Sequence, residues 1–384
     1  LATSAGQLIA FRVIQGVGGG MIVPIGQMIL VKKAGPRQLA RVMAATGIPV
    51  VLAPVIGPTV GGLLLDSAGW RWIFYVNVPV GIIAFIAGLR LLPHDRPEPA
   101  GRLDALGLGL VAPGVVGLTY GLAEIGTTGS FSSARVIVPT LAGAALVAAF
   151  VVRSLRVKWP LLDLRLYANK GFSASSLATF GLGAALFGGM ILMPLYFQTV
   201  RHESAVMTGL LLAPQGLGAV AAMWVSGRAV DRFGAGATAF VGGLIAIAST
   251  VPFVMVGANT PFGVLAVAMV ARGFGFGTTA MPAMTAGFRV LEASQVNDAA
   301  PQLNVLMRVG GSIGTAILTV VLQHHLVRAG SSPSAQAAAF GTTFWWVLAV
   351  SAVSVAPTVL LWRLERRAPA FMGEAHTEPL MEPL

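Results

Sequence analysis

Long apolar runs, each about as long as a bilayer core is thick, alternate along this chain with short stretches that hold its charges and turn residues. A spanning helix needs about 20 mostly apolar residues. Eleven such runs lie between charges and turns: 5–31, 42–65, 76–92, 104–123, 136–152, 172–200, 205–227, 236–257, 261–288, 303–326 and 340–362. Residues 233–271 carry no charge, yet they are too many for one crossing. Gly257-Ala258-Asn259-Thr260-Pro261 predicts a turn that divides them into two helices.

Composition fixes the solvent. The 384 residues are 55% hydrophobic and only 10% charged, with mean hydropathy +0.80. A soluble domain carries roughly 25% charged residues, so this chain lacks the polar coat that water demands. The pattern predicts an all-α polytopic membrane protein. The net charge of +11 does not imply nucleic acid as a partner, because the basic residues punctuate the apolar runs instead of forming one patch. Eighteen of the 25 lysines and arginines fall in loops on one side, four on the other, and Arg12, Arg272 and Arg308 lie inside spans. By the positive-inside rule the richer side is cytoplasmic. This places the C-terminus in the cytoplasm. Trp70, Trp72, Phe74 and Tyr75 read as an outer interfacial belt, and the basic, amphipathic stretch 153–171 as a linker on the cytoplasmic membrane surface.

Several chemistries are excluded. With no cysteine there is no disulfide framework, thiolate metal site or thiol nucleophile. His324 and His325 diverge by about 100° around a helix and do not make a metal site. No phosphate-binding loop or Ser-His-Asp arrangement is present, so neither ATP-driven transport nor an enzyme is expected. No cofactor is expected.

The arginine–glycine segments "RVIQGVGGG" (Arg12, Gln15, Gly16, Gly18, Gly19, Gly20) and "RGFGFG" (Arg272, Gly273, Gly275, Gly277) are each followed one span later by another glycine-rich run. These are "GIPVVLAPVIGPTVGGLL" at 47–64 and "RVGGSIGTAIL" at 308–318. Such a recurrence suggests two related halves. In 47–64, Ala53, Gly57 and Gly61 line one small-residue face for close helix packing, and Pro54, Pro58 and Gly62 form the adjacent, bend-prone row.

These segments resemble the major facilitator superfamily, specifically its 14-span drug:proton antiporter family. The 47–64 run is similar to that family's antiporter motif (Gly47, Pro54, Gly57, Pro58, Gly61, Gly62). "DSAGWRWIFYVNVPVG" resembles its outer loop and sixth-span entry, and "PLLDLRLYANKGF" its linker before the second half. "PLYFQ" and "GLLLAPQGLG" resemble its ninth and tenth spans, and "GRAVDRFG" (Gly227, Asp231, Arg232, Gly234) its cytoplasmic loop motif. The resemblance implies a two-half helical bundle with about 11 of 14 spans present, the chain beginning near the fourth. It divides the chain into 1–92 (spans 4–6), 93–152 (two extra spans), 153–171 (linker), 172–362 (the six-span second half) and 363–384 (tail). It implies a monomeric exporter of amphipathic small molecules in exchange for protons, driven by the proton gradient. The family's membrane-embedded acid would belong to the spans before Leu1, so the chain alone is expected to be inactive. Other readings are a dedicated exporter of an endogenous metabolite, antibiotic or siderophore, and a membrane sensor.

Intramembrane charges are functional candidates by default. Arg12 lies well inside its span and suits a proton site, with Asp66 and Glu124 as relay carboxylates or as solvated interfacial ones. Asp231 is expected to cap a helix start and pair with Arg232 or Arg228. Arg308 is close enough to the cytoplasmic end to snorkel. The spans that the family fold places around a cavity carry Gln15, Phe187, Met190, Tyr196, Gln198, Gln215, Trp224 and Arg272 as candidate walls, apolar and aromatic with sparse polar groups.

Overall fold

In hydrocarbon no water competes for backbone hydrogen bonds, so helix is forced on every apolar run, glycine-rich or not. The computed structural model describes residues 2–22, 25–26, 29, 57, 60–92, 103–128, 132–291 and 293–367. The chain divides into two compact units, 1–53 and 54–384. In the first, helix α1 covers 5–22. In the second, α2 (60–68), α3 (Trp72–Tyr75) and α4 (Asn77–Leu91) precede a hairpin of α5 (Ala105–Thr128) and α6 (Ala134–Arg156). A 3-10 turn, Leu164–Ala168, then leads into six helices. These are α7 (Lys170–Thr199), α8 (Ala205–Phe233), α9 (Ala235–Val254), α10 (Phe262–Arg289), α11 (Ala293–Ala329) and α12 (Pro333–Arg367).

Among the described residues, nine helices are long and apolar enough to cross a membrane. They coincide with the third to eleventh predicted runs, and most of the second run, 42–65, lies outside the described residues. The protein is an all-α, multi-pass membrane protein.

Local chemistry sets the helix ends. Ser133, Asn169 and Ser204 cap α6, α7 and α8 by accepting from the backbone N–H groups of Arg135, of Gly171 and Phe172, and of Met207. The turn predicted at 257–261 is present between α9 and α10, closed by Gly257 N–H donating to Thr260 Oγ1 at 2.8 Å. Tyr196 Oη donates to the Gly257 carbonyl at 2.6 Å, and Arg201 donates to the carbonyls of Ala258 and Thr260. At the basic end, Gly234 (φ +90°) joins α8 to α9 in a conformation that favours glycine.

Lipid tails are as apolar as leucine, so burial alone does not hold these helices together; close packing does. A Cβ on Gly183 of α7 would fall 2.1 Å from the Met307 carbonyl of α11, so only hydrogen fits that crossing. The end of the six-helix unit near the 257–261 turn holds an apolar core of Leu192, Met193, Tyr196, Met269, Phe340 and Phe344, with the Phe253 and Phe344 rings stacked at 5.2 Å. Large apolar side chains such as Trp224 and Trp345 remain exposed, the expected state for surfaces that lipid covers.

The hairpin packs its α5 along α11. At its basic end Asp104 is buried and accepts from Arg153 Nε at 2.9 Å and from Gly107 N–H at 2.9 Å. The 157–169 stretch, expected at the membrane surface, forms no long amphipathic helix. Gln302 of α11 donates to the Asp163 carbonyl at 3.1 Å, and Leu166 turns inward against Phe172, Ala299 and Leu303, while Trp159 stays exposed.

Candidate functional site

Helix α11 carries polar residues at an interval that its apolar surroundings throw into relief. Arg308, Ser312, Thr315, Thr319 and Gln323 are spaced by four, three, four and four residues, which puts them on one face of a helix. At 1.5 Å per residue the row runs about 22 Å along the axis, most of a bilayer core of roughly 30 Å. All five line a groove of about 660 Å³, to which Thr119 of α5 and Phe187 of α7 also contribute. Among the described residues that line it, none is acidic.

The hydroxyls of this row differ from many others in the bundle, although Ser176, Thr179 and Thr208 are likewise without a partner among the described residues. A serine or threonine inside a membrane helix ordinarily returns its proton to a carbonyl one turn back. Thr250, Thr279, Thr343 and Ser351 do so, donating to the carbonyls of Ala246, Gly275, Ala339 and Val347 at 2.7–2.8 Å. Among the described residues Ser312, Thr315 and Thr319 make no such bond, and neither Arg308 nor Gln323 has a partner. Their hydrogen-bonding capacity faces the groove unspent. An anhydrous lipid-facing surface would leave these groups uncompensated, so the row calls for water or a polar ligand. The spacing was legible in "RVGGSIGTAILTVVLQ". Reading 308–318 as a glycine-rich packing segment, and Arg308 as a snorkelling residue, hid it.

Of the cavity walls expected from sequence, Phe187 (42% exposed) lines this groove. Tyr196 is fully buried in the apolar core, Met190 and Gln215 are half-buried, and Gln198 and Trp224 are exposed. Arg272 is fully buried, away from the groove. Its guanidinium lies 5.2 Å from the Phe276 ring centroid and 5.9 Å from that of Phe253, with one long bond of 3.4 Å from Nη2 to the Ala185 carbonyl. Nε and Nη1 have no partner among the described residues. The slot exists because α7 has glycine at 189, where a Cβ would sit 1.9 Å from Nη2.

In the first unit, Arg12 Nη1 donates to Gln15 Oε1 at 3.0 Å, one turn apart on an exposed face of α1. Gly47, Pro54 and Pro58 lie outside the described residues. Gly57 is exposed and Gly61 half-buried, whereas Gly62 is buried, and a Cβ there would meet the Ala205 backbone at 2.8 Å. Asp66 is exposed in the last turn of α2, and Glu124 is half-buried on α5, next to the groove-lining Ala123.

The capping expected of Asp231 is corrected. Gly227, Asp231 and Arg232 belong to the C-terminal part of α8, and the chain turns only at Gly234. Among the described residues Asp231 accepts from none of the free N–H groups of α9, and Glu365 of α12 takes them instead. Its Oε1 accepts from Ala235 N–H at 2.9 Å and its Oε2 from Gly236 N–H at 2.7 Å, and Arg289 pairs with it at 3.0 Å. Glu365, invisible to motif reading because it lies 130 residues away, thus ties α9, α10 and α12 together at the basic end.

The fold and the groove together define a glycine-packed, multi-pass helical membrane protein with a polar-lined groove along one spanning helix. The sequence profile of the Major Facilitator Superfamily matches residues 1–318, and the chain belongs to that family. It is 38% identical over 320 residues to the "Multidrug resistance protein B homolog" of Mycobacterium tuberculosis, covering 83% of this chain and 59% of that protein. It is 33% identical over 322 residues to the "Methylenomycin A resistance protein" of Bacillus subtilis, covering 82% of this chain and 68% of the relative. It is 30% identical over 345 residues to the B. subtilis "Uncharacterized MFS-type transporter YcnB", covering 89% and 72%. The chain therefore spans less than two thirds of the mycobacterial relative.

Proposed function

We propose that this chain is the greater part of a secondary active exporter that moves amphipathic small molecules out across a bacterial inner membrane in exchange for protons. The observation that carries this reading is the row on α11: five polar side chains along most of a membrane crossing, with their hydrogen bonds unspent and a groove of drug-sized volume before them. Pockets of about 300–1,000 Å³ suit such ligands. Membership of the superfamily and likeness to proteins named for multidrug and methylenomycin A resistance support outward transport of small molecules. Alternating exposure of the groove by rocking of two halves follows the general scheme for carriers built from repeats.

Proton coupling is assigned to carboxylates that approach the membrane, with Glu124 the one beside the groove and Asp66 the other candidate. Arg12, hydrogen-bonded to Gln15, is proposed to hold a water or a carboxylate at the first unit's proton site. In this reading the protein works as a monomer with its C-terminus in the cytoplasm and uses the proton gradient and no cofactor. The test expresses the complete gene product in a strain without its own exporters and follows a preloaded fluorescent amphiphile. Extrusion that an uncoupler stops is expected; extrusion indifferent to the uncoupler, or none, would overturn the reading.

A further inference from the structure

We infer that Arg308 makes the α11 groove selective for anionic amphiphiles: molecules with an aromatic or apolar body and a carboxylate, sulfonate or phosphate at one end. This rests on the groove being the substrate path proposed above and adds the chemical class that it takes.

Charge is the first support. Among the described residues Arg308 is the groove's sole lining cation, and no acid lines the groove with it. Helix α7 carries no acidic residue at all, α5 carries only Glu124, and α11 itself only Asp298. Asp298 lies ten residues from Arg308 on the same helix, about 15 Å along the axis. Glu124 adjoins Ala123, which shares the groove's other end with Gln323. Among the described residues the Arg308 guanidinium therefore has no counter-ion, and an unpaired charge facing a low-dielectric wall gains most from an arriving anion.

Geometry is the second. Guanidinium offers a planar fork of donors that matches carboxylate, sulfonate and phosphate oxygens in pairs. Ser312 stands one turn further along the same face and can add a neutral donor to the same anion, and Thr315 follows it. Phe187, whose ring packs against Gly311 of α11, leaves an exposed part of that ring to meet an apolar body. The two membrane arginines of the six-helix unit are thereby separated in role. Arg272 has neither space nor exposure to meet a ligand, whereas Arg308 has both.

The test uses the full-length protein in phosphatidylcholine nanodiscs and two probes with one ring and opposite charges, pyrenesulfonate and pyrenylmethyl-trimethylammonium. Binding is read by fluorescence anisotropy and needs no transport activity. The wild type is expected to bind the sulfonate at least tenfold more tightly than the ammonium probe. Arg308→Gln should lose about tenfold or more of the sulfonate affinity while leaving the ammonium probe unchanged, and Arg308→Lys should retain part of it. Titrated phosphatidylglycerol that displaces the sulfonate from wild type identifies a lipid headgroup as a natural source of the anion, and no displacement identifies a free solute. Equal binding of both probes by the wild type, or equal losses for both in Arg308→Gln, overturns the inference. Uncoupler-sensitive export of the ammonium probe alone would leave the exporter reading intact while overturning the anion preference, and export of neither probe would count against the exporter reading.

Discussion

Arg272 and Arg308 lie on successive helices of one six-helix unit, and their surroundings are opposite. Arg272 is sealed between α7, α9 and α10, against two aromatic rings and a glycine, with two of its three nitrogens unpartnered among the described residues. Arg308 faces a groove on α11 in a row of polar side chains. Arg153, at the basic end of the hairpin, shows a third arrangement, paired at 2.8 Å with the buried Asp104. The same residue type is thus a packed wedge, a groove wall and half of an ion pair. The difference teaches that a charge inside a membrane protein takes its meaning from what the neighbouring helices leave open.

The largest expected effect concerns the slot of Arg272. Gly189→Ala puts a methyl group where Nη2 now lies, and overpacking of this kind destabilises by about 1–3 kcal/mol. Thermal unfolding in detergent should show it, and adding Arg272→Met should recover most of the loss. Failure of the double variant to recover would mean that the two residues do not share the slot. Arg272→Met alone comes next. Replacing a buried, poorly paired charge with an apolar side chain of similar volume is neutral or stabilising, here by about 1–3 kcal/mol, so a large fall in melting temperature would reveal a partner for the guanidinium.

The Arg153 pair should respond to acid. The hydrogen bond from Arg153 and the Gly107 N–H hold the Asp104 carboxyl below its usual range, outweighing the desolvation that pulls it up. Because the folded value is lowered, the stability this group contributes is fully present above the unfolded carboxylate value, about 3.9. It is lost as pH falls through the lowered value. Wild type should therefore lose stability below about pH 4, and Asp104→Asn should lack that component while being less stable at neutral pH. The smallest effect belongs to Arg308→Gln, which should leave the stability within about 0.5 kcal/mol of wild type. A larger shift would make Arg308 a packing residue like Arg272.

Much of the fold was legible because lipid makes hydropathy decisive. Among the described residues, nine membrane-length helices lie where apolar runs predicted them, and the turn at 257–261 was written in Gly, Asn and Pro. The site was legible only in part. Glycines could be read as close packing, but not which arginine they would enclose, because that depends on which helices meet. Arg272 and Tyr196 look alike as cavity candidates in one dimension, and both are withdrawn into the core by neighbours distant in sequence. The role of Glu365 was hidden for the same reason, since its partners Ala235 and Gly236 are brought to it by the packing of α9 on α12. The α11 row, in contrast, needed no tertiary information beyond the helical period.

The chain has no cysteine, which makes single-cysteine labelling the most direct test that the α11 row is a solvated path. Ser312→Cys, Thr315→Cys and Thr319→Cys, in otherwise unchanged full-length protein in membranes, should react with a charged, membrane-impermeant thiol reagent and be protected by a transported amphiphile. Ile317→Cys, on the opposite face of the same helix and exposed there, where lipid is expected to cover it, should stay unlabelled. Unreactive cysteines at all three positions of the row, or labelling at Ile317→Cys as fast as theirs, would contradict the account.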